Sequence, residues 1–183
     1  MKKAFTMIEL IFVIVILGIL AAVALPKFIG VAQQAREGNL KSFVGTLNRT
    51  LGPSWWSQAM PSDGNVSVLG IDYNATTNSG SLSRYTDIPK ELSEFNLSYC
   101  DDKTNYKIIA KFDKDKIGSE VNYYIACKTG TPSEAPKFML IKPTTTNQDH
   151  LDLNDANTSA IASDNTIKFK HSGTEYNQTV VQQ

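Results

Sequence analysis

The sequence predicts an α+β protein in which a long N-terminal helix packs on a C-terminal antiparallel β-sheet head. Residues 10–25 form an apolar run without a polar side chain. Residues 28–51 repeat apolar side chains at spacings of three and four, as an amphipathic helix does. Beyond residue 53, short strand-like runs follow one another without helical periodicity between them, which favours antiparallel pairing.

Length and charge narrow the class of protein. The 183 residues suit one modest domain with an appendage. Eighteen basic residues balance eighteen acidic ones, and the absence of a basic run argues against non-specific binding of nucleic acid. A hydrophobic fraction of 42% against 20% charged residues argues against wholesale disorder.

The N-terminal segment has the length of a membrane span. Residues 5–25 form, as a helix, a rod of about 31 Å, which matches a bilayer core of about 30 Å. Lys2 and Lys3 precede it and favour a cytoplasmic N-terminus, so the rest of the chain is expected on the far side of the membrane. A plain anchor fits equally well, as does a signal peptide cut near residues 21–24.

Neither alternative explains Glu9, which lies one turn inside the apolar helix. A carboxylate at this depth costs about 2 to 3 kcal/mol on lenient insertion scales, so it indicates a functional role and needs a partner. The other interpretation is a side chain that snorkels to the head groups.

These residues carry a family resemblance. The run Lys2-Lys3-Ala4-Phe5-Thr6-Met7-Ile8-Glu9-Leu10, followed by Gly18 and Pro26, closely resembles the N-terminus of type IV pilins and type II secretion pseudopilins. The resemblance implies that a prepilin peptidase cuts between Ala4 and Phe5 and methylates the new N-terminus at Phe5. Ala4 stands where the family usually has Gly. It also implies that Glu9 neutralises the Phe5 amine, within one chain or between neighbouring subunits, and so sets the register of assembly.

The resemblance implies a leader at 1–4, a helix at 5–52 with 5–25 in the membrane or filament core, and a β-rich head at 53–183. The implied function is a structural subunit of a type IV pilus or a type II secretion pseudopilus, and these two filaments remain open. Its implied partners are the inner membrane, prepilin peptidase and other pilin-like subunits including copies of itself. The head would be periplasmic behind a single span, or exposed on a pilus. The rival is a membrane-anchored periplasmic binding or enzymatic domain.

Within the helix, Pro26 is expected to cause a bend and Gly18 to be a weak point. Gly52 and Pro53 are expected to end the helix. The adjacent tryptophans at 55 and 56 are expected to anchor the helix to the head rather than to form an exposed adhesive patch. Strands are predicted at 66–71, 95–100, 106–112, 121–127, 138–141 and 166–169, with long polar loops at 74–83 and 144–163.

Cys100 and Cys127 are the only cysteines, and an even pair outside the cytoplasm predicts a disulfide. A simple meander would place them on either side of the strand at 106–112, about 9 to 10 Å apart and out of reach. Either the cysteines lie beyond the paired residues, or the strand order differs.

Six Asn-x-Ser/Thr sequons occur, and five have an acid two residues earlier, an extended form that resembles the acceptor sequence of bacterial oligosaccharyltransferases. These five are Asn65, Asn74, Asn96, Asn157 and Asn177, and the sixth is Asn48. Asn74 and Asn177 are expected to be the best acceptors because they look loop-like or terminal. The competing interpretation is that turns are rich in these residue types and produce such matches.

Enzymatic and metal chemistry have little support. His150 and His171 are the only histidines, and the sequence contains no phosphate loop, nucleophile elbow or zinc motif, so no enzymatic function is predicted. No cofactor is expected except, at most, Ca²⁺. Its candidate oxygen ligands are Asp149, Asp152, Asn154 and Asp155, in a segment that lacks the Gly and the final Glu of an EF-hand loop.

Overall fold

The helical part of the chain is longer than predicted. In the computed structural model, which describes residues 6–144, 166–171 and 174–182, helix α1 spans Met7–Thr46. A π-helical turn at Leu47–Leu51 follows, and helix α2 continues directly over Gly52–Ala59. The prediction that Gly52 and Pro53 end the helix is therefore wrong. Pro53 lies in the first turn of α2, where a missing N–H and a fixed φ are tolerated.

The chain divides into two compact units, Met1–Arg36 and Glu37–Gln183. The first unit contains most of α1. The second contains the last turns of α1, helix α2 and the sheet.

Seven described strands form one sheet in the order β1-β2-β3-β4-β5-β7-β6, and every described pairing is antiparallel. The strands are β1 Asp72–Asn74, β2 Leu92–Asn96, β3 Lys107–Phe112, β4 Tyr123–Lys128, β5 Lys137–Pro143, β6 Thr166–His171 and β7 Thr174–Gln182. A single helical turn, α3, spans Lys114–Ile117, and 3₁₀ turns span Met60–Ser62, Val66–Leu69, Leu82–Arg84 and Leu97–Tyr99. The predicted α+β class and antiparallel sheet are confirmed.

The strand predictions at 106–112, 121–127, 138–141 and 166–169 are confirmed within a few residues. The prediction at 66–71 is wrong, because this segment begins with a 3₁₀ turn. The side chain of Asn65 accepts a hydrogen bond from the Ser67 N–H, and Gly70 ends the turn at a φ of 58°. The run at 95–100 is a strand only as far as Asn96. Strands β1 and β7 were not predicted.

One face of the helix covers the sheet within the second unit. Its buried side chains are Leu40, Phe43, Val44, Leu47 and Leu51. Phe43 meets Phe112 of β3 edge-on, with ring centroids 6.3 Å apart. The buried face begins later than the apolar pattern suggests, because Val31 is 59% exposed. A pattern that runs over both units therefore forms a core in only the second one.

Both tryptophans anchor helix α2, as predicted. Trp55 is fully buried and lies against the rings of Tyr85, Phe95 and Phe138. The Trp56 indole N–H donates to the Thr131 carbonyl oxygen over 2.8 Å.

Asn48 takes the place of a neighbouring strand along part of β5. Its Nδ2 donates to the Phe138 carbonyl oxygen over 2.8 Å, and its Oδ1 accepts from the Phe138 N–H over 2.9 Å. The next strand, β7, pairs with β5 only at residues 141–143. A side-chain amide presents one donor and one acceptor, as a peptide group does, so it satisfies the Phe138 backbone where strand pairing has ended.

Candidate functional site

The first unit presents an apolar helix whose described side chains are largely exposed. Met7–Ala24 has a mean hydropathy of 2.9, and none of this window is buried. Phe12 is 67% exposed and Leu17 is 58% exposed. By length and composition this helix could cross a membrane, and a signal sequence would also meet that criterion. Its lack of burial separates it from the core helix of a soluble domain.

Thr6 and Glu9 form a reciprocal capping box at the start of this helix. The Glu9 Oε2 accepts hydrogen bonds from the Thr6 N–H at 3.2 Å and from the Thr6 hydroxyl at 3.0 Å. In return, the Glu9 N–H donates to the Thr6 Oγ1 over 3.3 Å. The spacing Thr-x-x-Glu is the sequence signature of this motif. It gives the Glu9 carboxylate a hydrogen-bond partner within its own chain. Glu9 also lies in the first turn, where a carboxylate interacts favourably with the helix dipole.

Ala4 and Phe5, on either side of the expected cut, lie outside the described residues. Gly18 and Pro26 both lie within α1. Around Gly18 a side chain would meet no other described atom within 4 Å. A bend at Gly18 or Pro26 stays a prediction.

Cys100 and Cys127 form a disulfide with their Cα atoms 5.4 Å apart. Of the two solutions left open by the sequence, the first holds for Cys100 alone, because Cys100 lies beyond the end of β2. The 3₁₀ turn Leu97–Tyr99 carries the chain away from β2, while Cys127 lies opposite Lys107 in the β3–β4 ladder. Both cysteines are fully buried.

The turn after Cys100 is held by Asp102. Its Oδ1 accepts the N–H groups of Thr104 and Asn105 at 2.7 and 2.8 Å. Partial burial alone would raise the Asp102 pKa, but these hydrogen bonds, with Lys107 nearby, outweigh burial and lower it. Next to it, the Lys107 ammonium contacts the Asp101 carboxylate at 2.7 Å. The turn that follows Cys100 is thus held in place by its own hydrogen bonds and by an ion pair.

Tyr123 and Glu37 join β4 to the last turns of α1 within the second unit. The Tyr123 hydroxyl donates to the Glu37 Oε1 over 2.6 Å, and the tyrosine is 1% exposed. Burial raises the Tyr123 pKa, and the hydrogen bond and charge of Glu37 raise it further. The Lys142 ammonium lies 5.1 Å from the centre of the same ring. This pair was not predicted, because no sequence signal links residues that are 86 positions apart.

The structure separates the described sequons by accessibility. Asn48 is bound to the Phe138 backbone. The Asn65 Oδ1 accepts from the Ser67 N–H, the Ser67 hydroxyl and the Thr129 hydroxyl. Asn96 is half-buried at the end of β2, whereas Asn74 is exposed at the end of β1.

Of the two remaining sequons, the structure describes only the one at Asn177. Asn177 lies within β7, opposite Lys168 of β6, and its use as an acceptor stays a prediction. Asn157 lies outside the described residues, as does the candidate calcium segment with Asp149, Asp152, Asn154 and Asp155. Among the described residues, no group of three or more His, Cys, Asp or Glu side chains is placed to hold a metal ion.

Three features define the class of this α+β protein. They are an exposed apolar N-terminal helix, a carboxylate in the first turn of that helix, and a disulfide that links the turn after β2 to β4. Residues 1–25 match a family model described as the prokaryotic N-terminal methylation motif. The chain is also similar to the type IV narrow pilus major component PilA5 of Thermus thermophilus, with 53% identity over 45 residues. This match covers 25% of the chain and 39% of the relative. Over this part, the chain resembles a type IV pilus component. No solved structure matches the chain significantly.

Proposed function

We propose that this protein is a structural subunit of a type IV pilin-like filament, assembled through its N-terminal helix. The observation that carries the proposal is the uncovered apolar helix with Glu9 in its first turn, together with the methylation motif over residues 1–25. Under this proposal the chain first spans the inner membrane once, with Lys2 and Lys3 in the cytoplasm and the sheet in the periplasm. Prepilin peptidase then cuts between Ala4 and Phe5 and methylates Phe5.

Transfer of the helix from membrane to filament has a favourable physical basis. Each large aliphatic side chain moved out of water contributes about 1.5 to 3 kcal/mol, so the exposed residues of α1 strongly oppose release into water. A bundle of identical helices hides the same side chains from water as the bilayer does. The apolar contribution thus changes little on transfer, and polar contacts decide the position of each subunit.

Glu9 supplies such a polar contact. Cleavage after Ala4 would create an α-amino group at Phe5, and methylation retains its positive charge. In an apolar layer, a carboxylate and an ammonium from neighbouring copies attract each other strongly, because little water screens them. The capping box with Thr6 supports this role, since it orders the first turn and holds the carboxylate beside the N-terminus.

The proposal includes no enzymatic activity and no cofactor. The type IV pilus is the favoured filament because the similar protein of Thermus thermophilus is a type IV pilus component. A short secretion pseudopilus built from the same contacts is the second form of the proposal.

The test separates the charge of Glu9 from its capping role. Glu9→Gln keeps an acceptor that caps Thr6 but removes the charge, whereas Thr6→Ala removes the cap and keeps the charge. We expect both variants to be inserted and cut, E9Q to be missing from the sheared filament fraction, and T6A to be present in it. Intact-mass and N-terminal peptide spectrometry of membrane and sheared fractions measures both steps.

An E9Q subunit that assembles normally would contradict the charge role, and assembly that fails only in T6A would assign Glu9 to capping. A wild-type chain that keeps Met1 would indicate a simple membrane anchor on a periplasmic domain. Ala4→Gly is the matched control for the cut, because it restores the residue usual in the family and should be cleaved at least as fast as the wild type.

A further inference from the structure

We propose that Asn74 is an acceptor for N-linked glycan, and that the segment Asp72-Tyr73-Asn74-Ala75-Thr76 is the recognition sequence. The proposal rests on the proposed function in one respect, namely that the sheet is exported from the cytoplasm. The substrate class is a lipid-diphosphate-linked oligosaccharide, transferred by an oligosaccharyltransferase.

Accessibility distinguishes this sequon from the other described ones. Asp72, Asn74 and Thr76, the three residues that such an enzyme reads, are all exposed, and the two between them are half-buried. In the sequon at Asn96, the next residue, Leu97, is fully buried and its N–H donates to the Ile71 carbonyl oxygen. An enzyme could reach Asn96 only by pulling a core side chain out of the head.

Asn65 is held more tightly still. Its side-chain oxygen accepts three hydrogen bonds, one of them from the Thr129 hydroxyl, which also accepts from the Val66 N–H. The preceding Gly64 is packed so closely that a Cβ there would lie 2.6 Å from the Thr131 carbonyl oxygen. Binding of this sequon in an enzyme cleft would break these contacts with the interior of the head.

Asn74 lies at the mouth of an exposed turn. Its backbone N–H donates to the Ser79 carbonyl oxygen over 2.9 Å, and the Ser79 N–H returns a bond of 3.2 Å, so residues 75–78 form the turn itself. The strand that leads into it, β1, is at one end of the described strand order. The acceptor thus stands at the rim of the sheet, where bulky groups meet no neighbouring strand among those described.

The side chain of Asn74 is already oriented by its own sequon. Its Oδ1 accepts the Thr76 N–H over 2.8 Å. Its Nδ2, the atom that would be glycosylated, donates to none of the described residues. The nucleophilic nitrogen is therefore available while the oxygen is fixed, and Thr76 is exposed beside it.

Asp72 supplies the acid two residues before the acceptor. Its Oδ1 accepts from the N–H and the hydroxyl of Ser81, both at 3.1 Å. These contacts lie on the surface, where water replaces them readily, so a basic group in an enzyme cleft can take over the carboxylate. The parts that must adapt are the short pairing of β1, its turn and the half-buried Tyr73 ring, which packs against the core.

The glycosyl transfer is a substitution and needs no oxidant or reductant. The Asn74 Nδ2 attacks C1 of the first sugar, and the bond between that carbon and the oxygen of the lipid diphosphate breaks. The nitrogen loses one proton to a base of the enzyme, and the lipid diphosphate departs with the bonding electron pair. The product is an N-glycosidic bond at Asn74.

The test uses the full chain, purified in detergent micelles, a purified bacterial oligosaccharyltransferase and polyprenyl-diphosphate-linked N-acetylglucosamine. Intact mass reports occupancy, and peptide mapping reports the site. We expect one added sugar on the peptide that contains Asn74, and its complete loss in Asn74→Gln, Asp72→Asn and Thr76→Ala. Thr76→Ser keeps the sequon and should be modified. Asn78→Gln is the matched control, because Asn78 lies in the same turn without a sequon.

An Asn74 that stays unmodified in chains with an intact Cys100–Cys127 disulfide would overturn the proposal. So would modification that persists in D72N and T76A, since it would not depend on the sequon. Because this assay needs neither export nor cleavage, its failure is distinguishable from failure of the proposed function, which N-terminal mass and the sheared fraction report separately.

Discussion

Removal of the Asn48 amide tests how the helix is joined to strand β5. Asn48→Ala leaves the Phe138 N–H and carbonyl oxygen without the two partners that the amide supplies at 2.9 and 2.8 Å. A buried polar group without a partner costs about 1 to 3 kcal/mol. Phe138 is only 5% exposed, but Asn48 itself is on the surface, so water can enter the gap left by its side chain. We therefore take the lower end for each group and expect a loss of about 2 kcal/mol in the free energy of unfolding.

Urea unfolding of the full chain in mild detergent, followed by tryptophan fluorescence, measures this loss. Trp55 is a suitable probe because its ring lies 6.3 Å from that of Phe138. With a urea slope of about 1 to 3 kcal/mol per M, the midpoint should fall by roughly 1 M. The slope itself should not change, because the same surface is exposed on unfolding.

Two further variants test whether the loss of stability comes from the hydrogen bonds of Asn48. Asn48→Asp keeps an acceptor for the Phe138 N–H but turns a carboxylate oxygen towards the Phe138 carbonyl, so it should cost at least as much as N48A. Asn39→Ala removes an exposed amide from the preceding helix α1 and should change stability by less than about 0.5 kcal/mol. If N48A is as stable as N39A, the two hydrogen bonds do not hold β5 and the argument fails.

Two other predictions concern the second unit. Tyr123→Phe should remove a dependence of stability on alkaline pH. The folded state keeps the Tyr123 phenol proton above the ordinary pKa of 10.0, whereas the unfolded state loses it there. Wild-type stability, relative to that of Y123F, should therefore fall above pH 10 by up to about 1.4 kcal/mol per pH unit. Parallel curves of unfolding free energy against pH from about 9 to 11.5 would contradict this. The double variant Cys100→Ala, Cys127→Ala opens a loop with a sequence separation of 27 and should lose about 3 to 4 kcal/mol by the chain-entropy estimate. A reductant should lower the urea midpoint of the wild type and leave the double variant unchanged; equal midpoints of oxidised and reduced wild type would refute it.

The capping box of Thr6 and Glu9 could have been predicted from the sequence, although only the charge of Glu9 was. The spacing of Thr6 and Glu9 was present in the sequence, and the hydrogen bonds between them follow from a separation of three residues in a helix. Glu9 is thus a helix cap as well as a charge in an apolar segment. Both properties belong to the same side chain, which is why variants that separate them are informative.

The strand predictions failed where local capping competed with β-propensity. Residues 66–69 are rich in β-branched and aliphatic side chains, but the Asn65 cap and the left-handed Gly70 make a 3₁₀ turn. Strand β1 was missed for the opposite reason. Two of its three residues, Asp72 and Asn74, are of types depleted in strands, and the segment forms a strand because β2 offers a partner.

The sequence by itself determined the properties that depend on near neighbours: an apolar helix long enough to span a bilayer, a carboxylate and its cap at the start, and a motif for processing. It also determined that two cysteines were available to pair. Tertiary structure alone decided which turn carries Cys100 to Cys127, that Asn48 pairs with a strand 90 residues away, and that Asn74 is exposed while Asn65 is held. The reason is physical: periodicity and capping act within one or two turns, whereas these contacts depend on strand order and on how the helix covers the sheet.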